Sequence, residues 1–369
     1  MSVVLGSALA GLLMLSQANA ADLKIGIMIP TTGSEATAGK DMENAIKLAV
    51  AEINKDGGVL GMNVVTITGD DGCDPQMATA AASKLVSSDV IGVVGGYCSG
   101  ATLPTLKIYG DAGTPFVIAA ANSTKLIDAN PGTAFQINST GFDQVNTAVS
   151  LFEGKGIKKL AIVHQGDGYS EDLAKLTKEK WTAMGHEVVA YEVVNKGEQD
   201  QSALVTKLKS KAPDAVFWTA YYSDGALLIK QLRQAGFRNL IAVGDGSNSP
   251  KLLEIAGKAA GKAAEGVFCF SNPTADYLPA AKSFVDSYKA NYKQAPDAYG
   301  PLAYDGMKLM ADAITRAGST DKAAIVKALK ETKDFNGITG AVTFTDKNTL
   351  AKSNFVVLVA KDGKWALNK

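Results

Sequence analysis

Histidine is nearly absent from this 369-residue chain, which holds only His164 and His186, and cysteine is limited to Cys73, Cys98 and Cys269. That is thin material for a zinc site or a metalloenzyme. A surplus of one charge is missing too: Lys+Arg 37 balance Asp+Glu 37, so no global field draws the chain onto nucleic acid or anionic lipid. Beyond the amino terminus no apolar run is long enough to look membrane-spanning. The first strand–helix loop lacks G-x-G-x-x-G, and G-x-x-x-x-G-K-[ST] occurs nowhere, which argues against nucleotide binding. What is present is 46% hydrophobic and 20% charged residues, the balance of a folded globular protein. The length exceeds one ordinary core and suits two lobes.

Val3 to Leu15 is an almost unbroken run of apolar and small residues, followed by Ser16-Gln17-Ala18-Asn19-Ala20 and then Ala21-Asp22. Small residues at Ala18 and Ala20 after an apolar core form the pattern that a signal peptidase cuts. The run is short for a permanent anchor, which needs about 20 apolar residues. No Lys or Arg precedes it, as if the true start lay upstream of Met1. Residues 1–20 are therefore expected to be a signal peptide, with a mature chain from near Ala21 outside the cytoplasm. Export changes how the cysteines read. Cys73 and Cys98 each follow a strand-like run, at 64–68 and 90–94. If those strands are neighbours in one parallel sheet, an oxidising compartment joins the two thiols and stabilises the fold by roughly 3 kcal/mol. Cys269, inside Gly266-Val267-Phe268-Cys269-Phe270, reads as a buried strand residue.

Short β-rich runs alternate with helical patterns along the rest of the chain. The spacing predicts strands at 24–29, 64–68, 90–94 and 116–120. Helices fall between them, including one over 76–87 and one over 102–110 with Pro104 in its first turn. The rhythm restarts after about residue 140, with strands at 160–163, 188–194, 215–218 and 240–243. Helices at 302–317 and 322–332 and strand-like runs at 341–344 and 355–359 finish it. Strands without strong alternation, separated by helices, indicate parallel sheets covered on both faces. The fold class is α/β, in two domain-sized units with no Ser/Gly tether between them.

Ligands of such sheets lie beyond the carboxyl ends of the strands. In the first unit those ends carry Gly95-Gly96-Tyr97-Cys98-Ser99-Gly100 and Ala119-Ala120-Ala121-Asn122-Ser123-Thr124, small polar helix starts suited to a carboxylate or phosphate. In the second they carry Asp167-Gly168-Tyr169-Ser170, Tyr221-Tyr222-Ser223-Asp224 and Gly244-Asp245-Gly246-Ser247, which offer tyrosines and a carboxylate. A zwitterion needs both kinds of group; taken singly, each is an ordinary loop or capping residue. Gly96-Tyr97-Cys98-Ser99-Gly100 also looks like a nucleophile elbow with cysteine at its centre, with His164 and Asp245 at other strand ends. Pairing of Cys98 with Cys73 would remove that thiol.

These features carry a family resemblance. Lys24-Ile25-Gly26 with Thr32-Gly33, Ile53-Asn54 with Gly57-Gly58, and Asp70-Asp71-Gly72-Cys73-Asp74-Pro75 are the first part of it. Gly95 with Cys98-Ser99, Ala161-Ile162-Val163-His164 with Tyr169, and Ile255-Ala256-Gly257 with Glu265-Gly266 continue it. Over nearly its full mature length the chain resembles the type I periplasmic solute-binding proteins, in the leucine/isoleucine/valine-binding branch that serves ABC transporters. The resemblance implies two doubly wound parallel-sheet lobes joined by a three-crossover hinge. Lobe 1 would hold 21–140 plus 268–343, and lobe 2 141–267 plus 344–369. It implies a Cys73–Cys98 disulfide. It places the ligand carboxylate on Ser99 and the backbone of Asn122, and the ammonium on the Ala120 carbonyl and the Asp245 carboxylate. Tyr169, Tyr221 and Tyr299 become aromatic walls.

Three departures stand out. Ala38 occupies the place of a family tyrosine, Asn122 of a threonine and Asp245 of a glutamate. The first enlarges the side-chain pocket or removes a hydrophobic wall. The expected protein is a periplasmic, monomeric, cofactor-free receptor for an amino acid, branched-chain or a related hydrophobic or aromatic one, or a similar carboxylated solute. It is not an enzyme, and its partners are ABC permease subunits at the inner membrane. The alternatives are a sensor of the same fold for an amide, aromatic acid or other non-amino-acid solute, and a secreted cysteine hydrolase using Cys98.

Overall fold

The computed structural model describes residues 22–258 and 262–368; the expected signal peptide lies outside the described residues. The chain begins in a first lobe: β1 (Leu23–Ile29), α1 (Ala36–Lys55), β2 (Val64–Asp70), α2 (Pro75–Ser87), β3 (Gly92–Gly95), α3 (Ser99–Asp111), β4 (Phe116–Ile118), α4 (Lys125–Asp128) and β5 (Ala134–Gln136). It then crosses to a second lobe. There it forms α5 (Gly141–Gly154), β6 (Lys159–His164), α6 (Ser170–Ala183), β7 (Glu187–Val193), α7 (Ser202–Ser210), β8 (Ala215–Trp218), α8 (Tyr222–Gln234), β9 (Leu240–Val243), α9 (Pro250–Lys258) and β10 (Phe268–Ser271). A second crossing returns it to the first lobe through α10 (Lys282–Tyr292), α11 (Gly300–Ala317), α12 (Lys322–Lys330) and the hairpin of β11 (Phe335–Gly337) and β12 (Gly340–Val342). The third crossing leads to β13 (Val356–Lys361) and β14 (Lys364–Leu367) in the second lobe.

The first lobe's sheet is parallel throughout, in the order β2-β1-β3-β4-β5. Its strands are apolar runs because helices cover both faces; Ile25, Ile27, Val93, Val94, Phe116 and Val117 are all buried. The apolar face of α1 (Met42, Ala45, Ile46, Ala49) packs on α11, whose Leu302, Leu309 and Met310 are buried. In the second lobe the order is β14-β13-β10-β9-β8-β6-β7, parallel from β7 to β10 and closed by an antiparallel β13–β14 hairpin. Among the described residues no helix is long and apolar enough to cross a membrane.

Three expectations need correction. First, β2 and β3 are not neighbours, because β1 lies between them and pairs with both. Cys73 and Cys98 still form a disulfide, with Cα atoms 5.3 Å apart, because the loops after β2 and β3 bend toward each other past the end of β1. Second, α3 starts at Ser99, so Pro104 sits in its interior, not its first turn, and the Gly100 carbonyl has no N–H from Pro104 to accept. Third, β10 is a strand of the second sheet, so the crossing placed at residue 268 comes after Ser271.

The crossing segments are tied to one another. Asn272 Nδ2 donates to Asn138 Oδ1 at 2.6 Å, Ser139 Oγ donates to Asn354 Oδ1 at 2.6 Å, and Ser353 Oγ donates to Ser139 Oγ at 3.1 Å.

Candidate functional site

The first wall is built where β3 ends. Gly95 (φ 137°) and Gly96 (φ 73°) adopt backbone angles that favour glycine, and a Cβ on Gly95 would lie 2.1 Å from the Met28 carbonyl oxygen. This turn carries the chain over the end of β1 and delivers Tyr97, the disulfide-bonded Cys98 and Ser99, the first residue of α3. Ser99 Oγ accepts the backbone N–H groups of Asn122 and Ser123, each at 3.2 Å, which leaves its own hydrogen free to donate. The Ala120 carbonyl accepts Asn138 Nδ2 at 2.6 Å.

The facing wall centres on Asp245, in a 3₁₀ turn just after β9. Its Oδ1 accepts the Tyr169 hydroxyl at 2.7 Å and Gln144 Nε2 at 3.0 Å. Its Oδ2 accepts Asn122 Nδ2 at 3.1 Å, from the opposite lobe, and Asn138 Nδ2 at 3.2 Å. Burial pushes this carboxyl above its ordinary range, while hydrogen bonds from Tyr169, Asn138 and Gln144 pull the other way. All of these donors are neutral. A cation entering here would supply the one thing a buried carboxylate still lacks, an opposite charge.

Glycines flank Asp245 for a steric reason. A Cβ on Gly244 would meet the Tyr169 hydroxyl at 2.4 Å, and one on Gly246 would meet the Tyr169 ring at 2.8 Å. Tyr221 leads into α8, and its carbonyl accepts Trp218 Nε1 at 2.9 Å; its buried hydroxyl has no hydrogen-bond partner. Burial raises the phenols of Tyr97, Tyr169, Tyr221 and Tyr299 well above their ordinary value, so all four remain donors at neutral pH.

Every residue that the sequence placed in the site lines one cavity between the lobes: Ser99, Ala120, Asn122, Tyr169, Tyr221, Asp245 and Tyr299. Tyr97 and Gly246 complete the lining. The cavity holds only about 10 Å³, room for roughly one water molecule. A larger depression of about 610 Å³ lies over α7 and α8, but it is open, lined by residues such as Gln199, Asp200 and Lys230, and lacks convergent buried groups.

The lobes are shut on this cavity. Asp172, in the first turn of α6, accepts Ser123 Oγ at 2.8 Å, Thr124 N at 2.7 Å and Thr124 Oγ1 at 3.0 Å from the opposite lobe. Lys125 pairs with Glu171 at 3.1 Å. The Tyr222 hydroxyl donates to the Ser34 carbonyl at 2.9 Å, and Ser249 Oγ donates to Asp297 at 2.9 Å. Gly100 and Gly168 touch backbone to backbone, and a Cβ on Gly168 would sit 2.9 Å from the Gly100 Cα.

Several of these residues were not legible in the sequence. Asn138 follows β5, a three-residue strand too short to stand out in the sequence, and Gln144 lies in α5, away from any strand end. Tyr97 stands in the loop after β3 beside Cys98 and Ser99, with no local signal that its ring lines the cavity. Ala38 is buried in α1 and is not among the residues that line the cavity, so it forms no wall of it. The cysteine-hydrolase reading fails, since the Cys98 sulfur is bonded to Cys73. His164 fixes a loop: its Nδ1 accepts the Gly166 N–H at 3.1 Å. Cys269 is a free, buried cysteine of β10.

A sequence model of the family described as "Periplasmic binding protein" matches residues 22–364. The chain is 30% identical to "Leu/Ile/Val-binding protein homolog 2" of Brucella abortus, over 99% of this chain and 98% of that protein. It is 30% identical to the "Leucine-, isoleucine-, valine-, threonine-, and alanine-binding protein" of Pseudomonas aeruginosa, over 93% and 91%. Among solved structures it is similar to the branched-chain amino acid transporter substrate binding protein LivJ of Streptococcus pneumoniae, in complex with isoleucine. The identity is 28% and the TM-score 0.86, covering 94% of this chain and 98% of that one.

Proposed function

This chain belongs to the periplasmic binding protein family, and from that premise we propose that it is the amino-acid receptor of an ABC importer. It takes up one amino acid between its lobes and hands it, closed, to permease subunits at the inner membrane. The observation that carries this reading is the meeting of Ser99 and Asp245 in one interlobe cavity. The α3 amino terminus, the Ser99 hydroxyl and the unpartnered Tyr221 hydroxyl suit a carboxylate, and Asp245 with the Ala120 carbonyl suits an ammonium group. The first lobe holds the carboxylate end at Ser99, and the second adds Asp245 and Tyr221 on closing, so ligand shifts the population toward the shut form. No bond is made or broken. The protein acts as a monomer, exported by the amino-terminal signal to the periplasm.

Isothermal titration of the secreted protein against amino acids tests the proposal, with a single site expected. Asp245→Ala and Asp245→Asn should weaken amino acids by about 2–5 kcal/mol, the usual cost of removing one member of a buried charge pair. Carboxylates of the same size without nitrogen should be far less affected. Equal losses for both ligand kinds, or no amino acid bound by the unaltered protein, would overturn it.

A further inference from the structure

We infer that the Asn138 carboxamide is a built-in competitor for the guest's ammonium group, one that eases the release of a bound amino acid. The inference rests on the amino-acid reading above, which assigns that ammonium to the Ala120 carbonyl and the Asp245 carboxylate. Asn138 Nδ2 donates to both of these acceptors, at 2.6 Å and 3.2 Å. The side chain is buried, and the Ala120 carbonyl, which can only accept, fixes its orientation. Its nitrogen faces the site, and its Oδ1 accepts Asn272 Nδ2 of the second crossing at 2.6 Å. One acceptor comes from each lobe, so the amide bridges the shut cleft as an ammonium group would.

Asp245 has no acceptor position to spare. A carboxylate offers about four lone-pair sites. Tyr169 and Gln144 donate to Oδ1, and Asn122 and Asn138 donate to Oδ2. A guest's ammonium therefore enters by taking the place of one donor. Asn138 yields at least cost. Its contact is the longest of the four, and its Nδ2 keeps the Ala120 carbonyl when Asp245 lets go. That carbonyl has two lone pairs, so it can hold Asn138 and the ammonium together. On release the exchange runs backward. The amide returns to Asp245 as the ammonium leaves, which spares the buried carboxylate the cost of a missing donor. A guest with a carboxylate but no nitrogen leaves Asn138 where it is.

Titration calorimetry of leucine, valine and alanine, each against its nitrogen-free counterpart (isocaproate, isovalerate, propionate), tests the exchange. The proteins are the unaltered chain, Asn138→Ala, Asn138→Asp and Asn272→Ala. Asn138→Ala should tighten the amino acids by roughly threefold or more, since the competing hydrogen bond is gone. The ratio of amino-acid to nitrogen-free affinity should rise by roughly tenfold, the worth of one hydrogen bond to a charged group. Asn138→Asp keeps the shape and the bond from Asn272 but has no amide donor. It should raise the ratio too, and it decides the matter if Asn138→Ala fails to fold. Asn272→Ala cuts the hinge end alone and should leave the ratio unchanged. A ratio that stays level or falls in Asn138→Ala would make Asn138 a mere support for Asp245. That result would overturn the exchange and leave the amino-acid receptor standing. Where the nitrogen-free acids bind too weakly to titrate, an unchanged or weakened amino-acid affinity in Asn138→Ala has the same force. Absence of binding for every amino acid would overturn both proposals.

Discussion

The two lobes contribute opposite chemistry to one cavity and are stabilised in different ways. The first offers a helix start, a hydroxyl and backbone groups, locked behind a disulfide, and its sheet is parallel throughout. The second offers Asp245 and two tyrosines on loops with no cross-link; its cysteine, Cys269, is free, and its sheet ends in an antiparallel hairpin. On the proposed function, the first lobe holds its half of the site ready and the second completes it when the lobes close. Buried acids pushed upward also concentrate in the first lobe: burial raises Glu35 and Asp71 to about 7, and it raises the neighbouring pair Asp41 and Asp297 above the ordinary carboxylate range.

The contrast can be broken at its strongest point first. Replacing Cys73 and Cys98 by serine should cost roughly 3 kcal/mol of stability from lost loop closure. In thermal unfolding followed by hydrogen exchange, protection should fall in α2 and α3 while β6 to β9 hold. A loss spread equally over both lobes would contradict a locally stiffened first lobe.

Glu35 provides the next test. Burial is the main cause of its raised value, from 4.5 to about 7, and Ser223 of the second lobe reaches it only across a long 3.5 Å contact. Because the folded value lies above the unfolded one, the native state holds the extra proton between these values. Stability from this group is complete below about pH 4.5, declines as pH rises toward 7 and is flat beyond. Glu35→Gln should flatten that decline and raise stability at pH 8 by on the order of 2–3 kcal/mol. Denaturant titrations from pH 4 to 8 would show it; a slope unchanged by the substitution would place the sensitivity elsewhere.

Asp172 sharpens the comparison, because it belongs to the moving lobe yet grips the fixed one. Asp172→Ala should weaken ligand binding by about 1.5–3 kcal/mol through loss of hydrogen bonds to a charged acceptor. Scattering of the ligand-bound protein should shift toward the open form. The smallest effect belongs to Lys125, whose pairing with Glu171 is exposed on both sides. Lys125→Ala should change affinity by less than about 1 kcal/mol, and that little should vanish in high salt.

Much of this architecture could be read from residue order. Apolar runs such as Ala215–Trp218 announced buried parallel strands, and polar helix starts after them announced the cleft. Strand neighbours could not be read, because β1 inserts itself between β2 and β3 through pairings that no local pattern encodes. Asn138 and Gln144 escaped for a similar reason: they reach Asp245 from more than a hundred residues away along the chain. Tyr97 was visible as a residue but not as a wall. Only the folded loop shows which way its ring faces.

The three passes of chain between the lobes have a further consequence. Neither half is a continuous stretch of polypeptide, so neither can be excised by a single cut or produced as a simple fragment. A protease that nicks one pass leaves two others spanning the gap, held together by Asn138, Ser139, Asn272 and Asn354. A nicked chain can thus lose one strand of its hinge and still keep both jaws attached.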